Sequence, residues 1–228
     1  MARHGTPWLC LVRHKKARRV QARQAKAYFR PPLYGRHDKG EWNMKCMVEI
    51  EGVSLILFNR FTEENAEAVK GKTSKKKNDE ERVAVAYDKV YRLPGGTALC
   101  LPSDNIKKAM LEGCRFAGIK IGRRSAEPYM RPTVFFEDAF VPFAGDVPAP
   151  DGLHECSGRI PPKTGGRVMI RRPYLDKGWK LRFSLTLLDN RVTELMVRQS
   201  LEEAGRMVGL GDHRPEYGRF QVNEFKSL

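Results

Sequence analysis

The residues best equipped to hold an anion lie near the end of the 228-residue chain. They run from Gly209 to Phe220 as Gly-Leu-Gly-Asp-His-Arg-Pro-Glu-Tyr-Gly-Arg-Phe. Glycines let main-chain N–H groups approach an anion closely, and Arg214 and Arg219 add positive charge. Tyr217 offers a ring face to a base or to packing. His213 is a candidate acid–base group, and its setting suits a phosphate or backbone contact better than catalysis. The alternative for the whole stretch is a turn whose glycines only satisfy backbone angles. The charge of the chain favours the anion: 42 Lys and Arg against 27 Asp and Glu leave +15, with pI near 9.8. An excess of that size repels itself in a compact fold and is retained where an anionic partner neutralises it. A phosphate backbone is the partner it predicts.

Two further basic clusters interleave aromatic residues. Lys120, Arg123, Arg124 and Arg131 surround Tyr129, while Arg167, Arg171, Arg172, Lys177 and Lys180 accompany Tyr174 and Trp179. Each pattern fits a solvated face as well as a nucleic-acid contact. Candidates for acid–base chemistry are His37, His154, His213 and Asp212, but no catalytic pairing follows from their spacing. Walker, nucleophile-elbow, H-E-x-x-H and dinucleotide signatures are lacking. The chain therefore predicts no catalytic residue, no metal and no cofactor. Its five cysteines, Cys10, Cys46, Cys100, Cys114 and Cys156, form no C-x-x-C pair; His154 and Cys156 lack a second pair to complete a zinc site. Reduced, mostly buried thiols and a cytoplasmic location are expected. The longest apolar stretches, Val53 to Phe58 and Ala98 to Leu101, fall far short of the ~20 residues that span a bilayer, and early cations interrupt any secretory signal.

The elements that must position these groups divide at residue 44. Residues 1–43 predict a basic arm, and the first 45 residues hold twelve cations against Asp38 and Glu41, a net +10. Within it Leu11 to Tyr28 suits a helix stopped by Pro31 and Pro32, either a disordered tail or an arm that folds on nucleic acid. The core, 44–228, opens with Met44, Cys46, Val48 and Ile50 at period two, and Gly52 marks a bulge or bend in a strand reaching Phe58. Thr62 caps a short helix through Val69, and residues 70–82, with Lys75, Lys76 and Lys77, form an exposed loop. Pro94-Gly95-Gly96 joins Tyr87–Arg92 and Thr97–Leu101 as a hairpin. A helix then starts at Ser103 as N-cap, carries Ile106, Met110, Cys114 and Ala117 on one stripe, and stops at Gly118. Val134 to Val141 is a strand; residues 143–167 are a loop or flap; Val168 to Arg171 is a short strand. Leu181, Phe183, Leu185 and Leu187 alternate in a strand. A helix follows from Asn190–Thr193 with Val192, Met196, Val197, Leu201, Ala204 and Val208 inward, and Phe220, Val222 and Phe225 mark a last strand. The order is a split βαβ pattern: an α+β, ferredoxin-like or RRM-like βαββαβ core with an inserted flap or thumb.

The loop with Gly218-Arg219-Phe220 leading into the last strand resembles the glycine-rich loop of the RAMP superfamily, and most closely the backbone subunits of CRISPR effector complexes. Residues 51–60, EGVSLILFNR, look like the first strand of such subunits and its turn. Leu101 to Ala109, with Pro102 and Ser103 opening a helix, is similar to the family's entry into its first helix. The resemblance implies a subunit that polymerises along a single-stranded guide RNA in a ribonucleoprotein, beside copies of itself and other effector subunits. Carried over position by position, it implies RNA contacts at Arg60, Lys107, Lys108, Arg214, Tyr217 and Arg219; the charge pattern adds Arg115, Lys120, Arg123, Arg124 and His213. Asp79 and Asp88 lie where target-cleaving relatives carry an acid. The chain is short for a backbone subunit, and the arm before residue 44 is outside the pattern. A phage or plasmid relative with another ligand shares these features. Two alternatives stand beside the leading reading: a metal-independent endoribonuclease of RAMP fold, and a phage single-stranded DNA binding or annealing protein.

Overall fold

The computed structural model describes residues 43–61, 78–159 and 167–228. The expected basic arm, the Thr62 helix and the Lys75–Lys77 run lie outside the described residues.

Strand β1 (Met44–Gly52) alternates as the sequence predicts, with Cys46, Val48 and Ile50 buried. The chain bends at Gly52, and β2 (Ile56–Leu57) joins a different sheet, so Met44 to Phe58 is two strands and not one. The bulge lies elsewhere: the register between β1 and the last strand, β11 (Phe220–Ser227), shifts between Glu49 and Ile50.

Residues 79–82 are not loop. Helix α1 (Asp79–Tyr87) begins there behind a capping box, in which Asn78 Oδ1 accepts from the Glu81 amide at 2.8 Å and Glu81 Oε2 accepts from the Asn78 amide at 3.1 Å. Tyr87 therefore ends a helix. The expected hairpin around Pro94-Gly95-Gly96 forms in short form: the Arg92–Leu99 bridge is flanked by the Cys100 amide donating to the Tyr91 carbonyl and the Leu93 amide to the Ala98 carbonyl, both at 3.0 Å. Strand β3 (Cys100–Pro102) pairs with β7 (Phe140–Pro142) instead.

Helix α2 (Ser103–Phe116) buries Ile106, Met110 and Cys114, whereas Ala117 falls outside the helix and is exposed. Ser103 is its first residue rather than its cap, because its hydroxyl donates to the Ala139 carbonyl at 3.2 Å and ties the helix start to the β3–β7 ribbon. Next come a tight hairpin, β4 (Lys120–Ile121) and β5 (Arg124–Ser125), and a short helix α3 (Glu127–Thr133). The expected strand over 134–141 is broken: β6 (Val134–Phe136) edges the main sheet, while β7 belongs to the ribbon. The flap over 143–167 is also corrected. It contains β8 (Gly152–Arg159), paired along its length with β9 (Arg167–Leu175) in a two-stranded arm that β2 extends.

Strand β10 (Lys180–Leu187) and helix α4 (Glu194–Met207) match expectation, and Thr193 Oγ1 accepts from the Met196 amide at the helix start. The main sheet is antiparallel in the order β11-β1-β10-β6. Each helix thus joins two strands separated by a third: α2 lies between β1 and β6, and α4 between β10 and β11. This is the split βαβ arrangement of a ferredoxin-like, α+β core. The helices cross closely at Gly113, where a Cβ would stand 2.2 Å from the Ser200 carbonyl oxygen. Ile106, Met110, Val197 and Leu201 fill one core with Val48, Ile50, Leu181 and Leu185. Burial raises the thiols of Cys100 and Cys114, and that of Cys46 to about 11, leaving unreactive neutral groups.

Candidate nucleic-acid interface

The glycine loop is docked onto the turn that follows β1. The Asp212 amide donates to the Leu57 carbonyl, the Gly218 amide to the Leu55 carbonyl, and the Leu210 amide to the Gly218 carbonyl, at 2.7–2.9 Å. Gly218 sits at φ +73°, and a Cβ there would lie 1.7 Å from the Leu210 oxygen. These amides are used within the protein, so the glycines serve close packing of backbone on backbone. The side chains, not those N–H groups, are what the loop offers to a ligand.

Arg214 and Arg219 are both exposed. The Arg219 Nε–H donates to the Pro215 carbonyl at 2.8 Å, bracing the loop. Among the described residues no carboxylate pairs with either guanidinium. Asp212 is instead held by Arg172 of β9. Its surroundings also include Lys89, whose pKa is lowered first by burial and then by repulsion from Arg172. Tyr217 is turned inward: its hydroxyl lies 3.2 Å from His154 Nε2 and the two rings meet edge to face at 5.2 Å. Tyr217 and His154 therefore clasp the β8–β9 arm to the loop. His213 is exposed at φ +52° and lines a groove with Arg214.

Two grooves flank the loop and share Gly211, Asp212 and Arg214. The first, about 180 Å³, is lined by Asn59, Tyr91, Asn105 and Lys108 as well. Arg60, next to Asn59 in the chain, lines neither groove; its amide donates to the Lys89 carbonyl at 2.8 Å and its guanidinium to the Asp88 carbonyl at 3.2 Å. The second, about 630 Å³, takes in Glu112, Phe116 and Met207. Asn105, Lys108, Glu112 and Phe116 recur at spacings of three and four, so one face of α2 forms a wall common to both.

The structure thus gathers Lys108, His213 and Arg214 on the two grooves, with Arg219 bracing the same loop, while Arg60 is tied to the residues that follow α1. Lys107 is half-buried on another face of α2 and lines neither groove. Lys120, Arg123 and Arg124 are exposed on the β4–β5 hairpin, beyond the C-terminal end of α2. Arg115 is paired with Glu127 at 3.2 Å, and Arg131 holds the same carboxylate at 2.5 Å. The Arg115 and Arg131 bonds keep that carboxyl below the usual range. Tyr129 lies under Arg191, 5.2 Å from guanidinium to ring. In the third cluster Arg171 pairs with Asp79 and Glu155, Lys180 pairs with Glu51, and Trp179 is core, donating to the Ser54 carbonyl at 2.9 Å. Asp79 is thus an ion-pair partner at the start of α1, and Asp88 caps its end.

Sequence reasoning missed Lys89, Asn59, Asn105, Glu112 and Phe116. Of these, only the α2 residues carried a signal, their helical spacing with Lys108. No group of His, Cys, Asp and Glu among the described residues is arranged to hold a metal ion, and no helix among them is long and apolar enough to cross a membrane. The arrangement can hold an anion along α2 and the loop, with Lys108 and Arg214 supplying charge and Phe116 and Met207 apolar surface.

No protein-family model matches the chain, and no curated protein matches it. Among solved structures it is similar to a chain of the type III-B Cmr-beta complex, determined by cryo-electron microscopy bound to cognate target RNA. The TM-score is 0.53 at 12% identity, over 95% of this chain and 66% of that one. The chain therefore spans less than two thirds of its match, and at that identity the likeness is one of fold: an α+β architecture shared with a chain from an RNA-bound complex.

Proposed function

We propose that this protein is an RNA-binding subunit of a CRISPR-related ribonucleoprotein, of RAMP type, that grips the sugar–phosphate path of single-stranded RNA along α2 and the glycine loop. The observation that carries the reading is the convergence of Lys108 and Arg214 on grooves beside the loop, neither of them held in an ion pair among the described residues. The fold likeness to a chain of an RNA-bound complex supports RNA over DNA. Phosphate contacts of this kind give affinity with little sequence preference and a steep dependence on salt. Copies of the chain arrayed along a guide RNA, with other effector subunits beside them, complete the proposal; the basic residues 1–43 act as an arm that adds charge, and the assembly works in the cytoplasm.

Fluorescence anisotropy with a labelled single-stranded RNA of mixed sequence tests it, with DNA of equal length as comparator. The expected result is tighter binding of RNA than of DNA, with affinity falling roughly 10³-fold between 50 and 200 mM salt for six or more phosphate contacts. Indifference to both nucleic acids at low ionic strength would sink the reading, and preference for DNA would favour the annealing-protein alternative. Cleavage of a hairpin RNA in EDTA, lost with His213→Ala or His154→Ala, would favour the endoribonuclease.

A further inference from the structure

The larger groove contains a group that phosphate binding does not explain. Glu112 stands on its wall, one helical turn before Phe116, facing the loop residues His213, Arg214 and Pro215. Among the described residues Glu112 forms no ion pair, although Arg115 three residues on is held by Glu127. A carboxylate beside a phosphate path repels the phosphate. Its presence in the groove therefore points to a part of the ligand that carries N–H donors. The floor is apolar: Phe116 is 55% exposed and Met207 45%, an exposure that a ring stacked on them would relieve. Cations on the loop and a carboxylate on the helix, with an aromatic platform between, match a nucleotide that has its phosphate toward Arg214 and its base on Phe116.

We infer that this groove is a nucleobase subsite that selects guanine within single-stranded RNA. The inference rests on the proposed RNA-binding function and adds base selection to it. The selection follows from the Watson–Crick edges of unpaired bases, which proteins read directly in single strands. Guanine alone presents two adjacent donors, N1–H and N2–H, which the two oxygens of one carboxylate accept together. Adenine and cytosine place an acceptor nitrogen beside their amino group, and uracil flanks its one N–H with two carbonyls. Each of those acceptors would face the Glu112 carboxylate with repulsion.

The test is anisotropy at fixed ionic strength with three labelled oligomers of equal length: oligo-uridine, oligo-uridine with isolated guanosines, and the same with inosine at those positions. Inosine keeps N1–H and lacks the 2-amino group. The guanosine oligomer should bind about tenfold more tightly than oligo-uridine, with inosine losing most of that gain. In Glu112→Gln the guanosine preference should disappear while oligo-uridine binds more tightly, since a negative charge has left the groove. Phe116→Leu should weaken all three, leaving their order unchanged. Equal binding of guanosine and uridine oligomers by the wild type, or a preference that survives Glu112→Gln, overturns the subsite and leaves the RNA-binding reading standing. Failure to bind oligo-uridine and the guanosine oligomer alike would remove both. On α2 Glu112 is half-buried and Phe116 exposed, and an unchanged melting temperature verifies that the variants fold.

Discussion

The open face of the main sheet and the rim of the glycine loop both display cations, yet they differ in what those cations face. On the sheet, Arg182 meets Glu49 at 2.8 Å, Lys45 meets Glu137 at 2.9 Å, Lys180 meets Glu51 at 3.8 Å, and Lys226 meets Glu224. Four cations and four carboxylates leave that face neutral. At the rim, Lys108, Arg214 and Arg219 have no carboxylate partner among the described residues. Split βαβ domains that read RNA on the sheet stack bases on aromatic residues of the open strands. Here the outward positions on the central strands include Met47, Glu49, Arg182 and Ser184, and the exposed Phe135 sits on the short edge strand β6. The difference teaches that pairing, more than residue count, decides which basic surface is available to an anion. Exposed ion pairs of this sort add little stability; their consequence is to silence a face that the topology leaves open.

The largest expected effect comes from removing the rim altogether. Gly218→Ala places a methyl group into the Leu210 carbonyl at a left-handed backbone position, so the loop must leave its dock on the β1–β2 turn. A loss on the order of 3 kcal/mol, or ~10 °C in Tm, is expected, with RNA affinity down at least tenfold. A variant that melts and binds as the wild type does would show that the loop's docking is irrelevant to the rim.

Charge reversal comes next. Lys108→Glu with Arg214→Glu should weaken RNA binding about 100-fold at 0.1 M salt and lower the salt slope by about two, while leaving Tm nearly unchanged. The matched control on the sheet, Lys180→Ala with Arg182→Ala, should change affinity less than about threefold, because those cations are already neutralised. Equal losses from the two pairs of substitutions would erase the contrast. The reverse experiment sharpens it: Glu49→Gln with Glu51→Gln frees Arg182 and Lys180, and should tighten binding about two- to threefold, only at low ionic strength.

The sequence disclosed the core because one-sided burial writes a period into it. β1, β10, α2 and α4 each bury one face, and their apolar residues recur at two or at three and four. The β8–β9 arm stands outside that core, so His154, Glu155, Cys156 and Ser157 follow no apolar alternation and looked like loop. Helix α1 did carry a start signal, Asn78 with Glu81 three residues on, hidden after a lysine-rich run. Helix α3 contains Pro128 and Pro132, which obscured it. At the site, Lys108 and Arg214 were visible as charges next to signals for a helix and a loop. Glu112 and Phe116 carried only their helical spacing with Lys108, and Lys89 carried no signal, because the grooves join α2, the turn after α1 and the glycine loop, which are up to more than a hundred residues apart in the chain. Tyr217 was visible as an aromatic, but only the structure gives it His154 as a partner.

Arg115 tests the smallest version of the contrast, since its sequence places it with the rim and its structure places it with the paired cations. Glu127 holds both Arg115 and Arg131, and their hydrogen bonds lower its pKa from 4.5. A carboxyl whose folded pKa lies below its unfolded value stabilises the fold fully above the unfolded pKa. That contribution is lost as pH falls through the folded value. Glu127→Gln should therefore cost about 0.5–1 kcal/mol at pH 7, a drop of ~1–3 °C in Tm, and the gap from wild type should close as pH falls below 4.5. The same substitution releases Arg115 and Arg131 next to the β4–β5 cations, so RNA affinity at pH 7 should rise about twofold at low salt while stability falls. Affinity falling together with stability would mean that the Glu127 pairs position the α2–α3 surface for RNA instead of withholding charge from it.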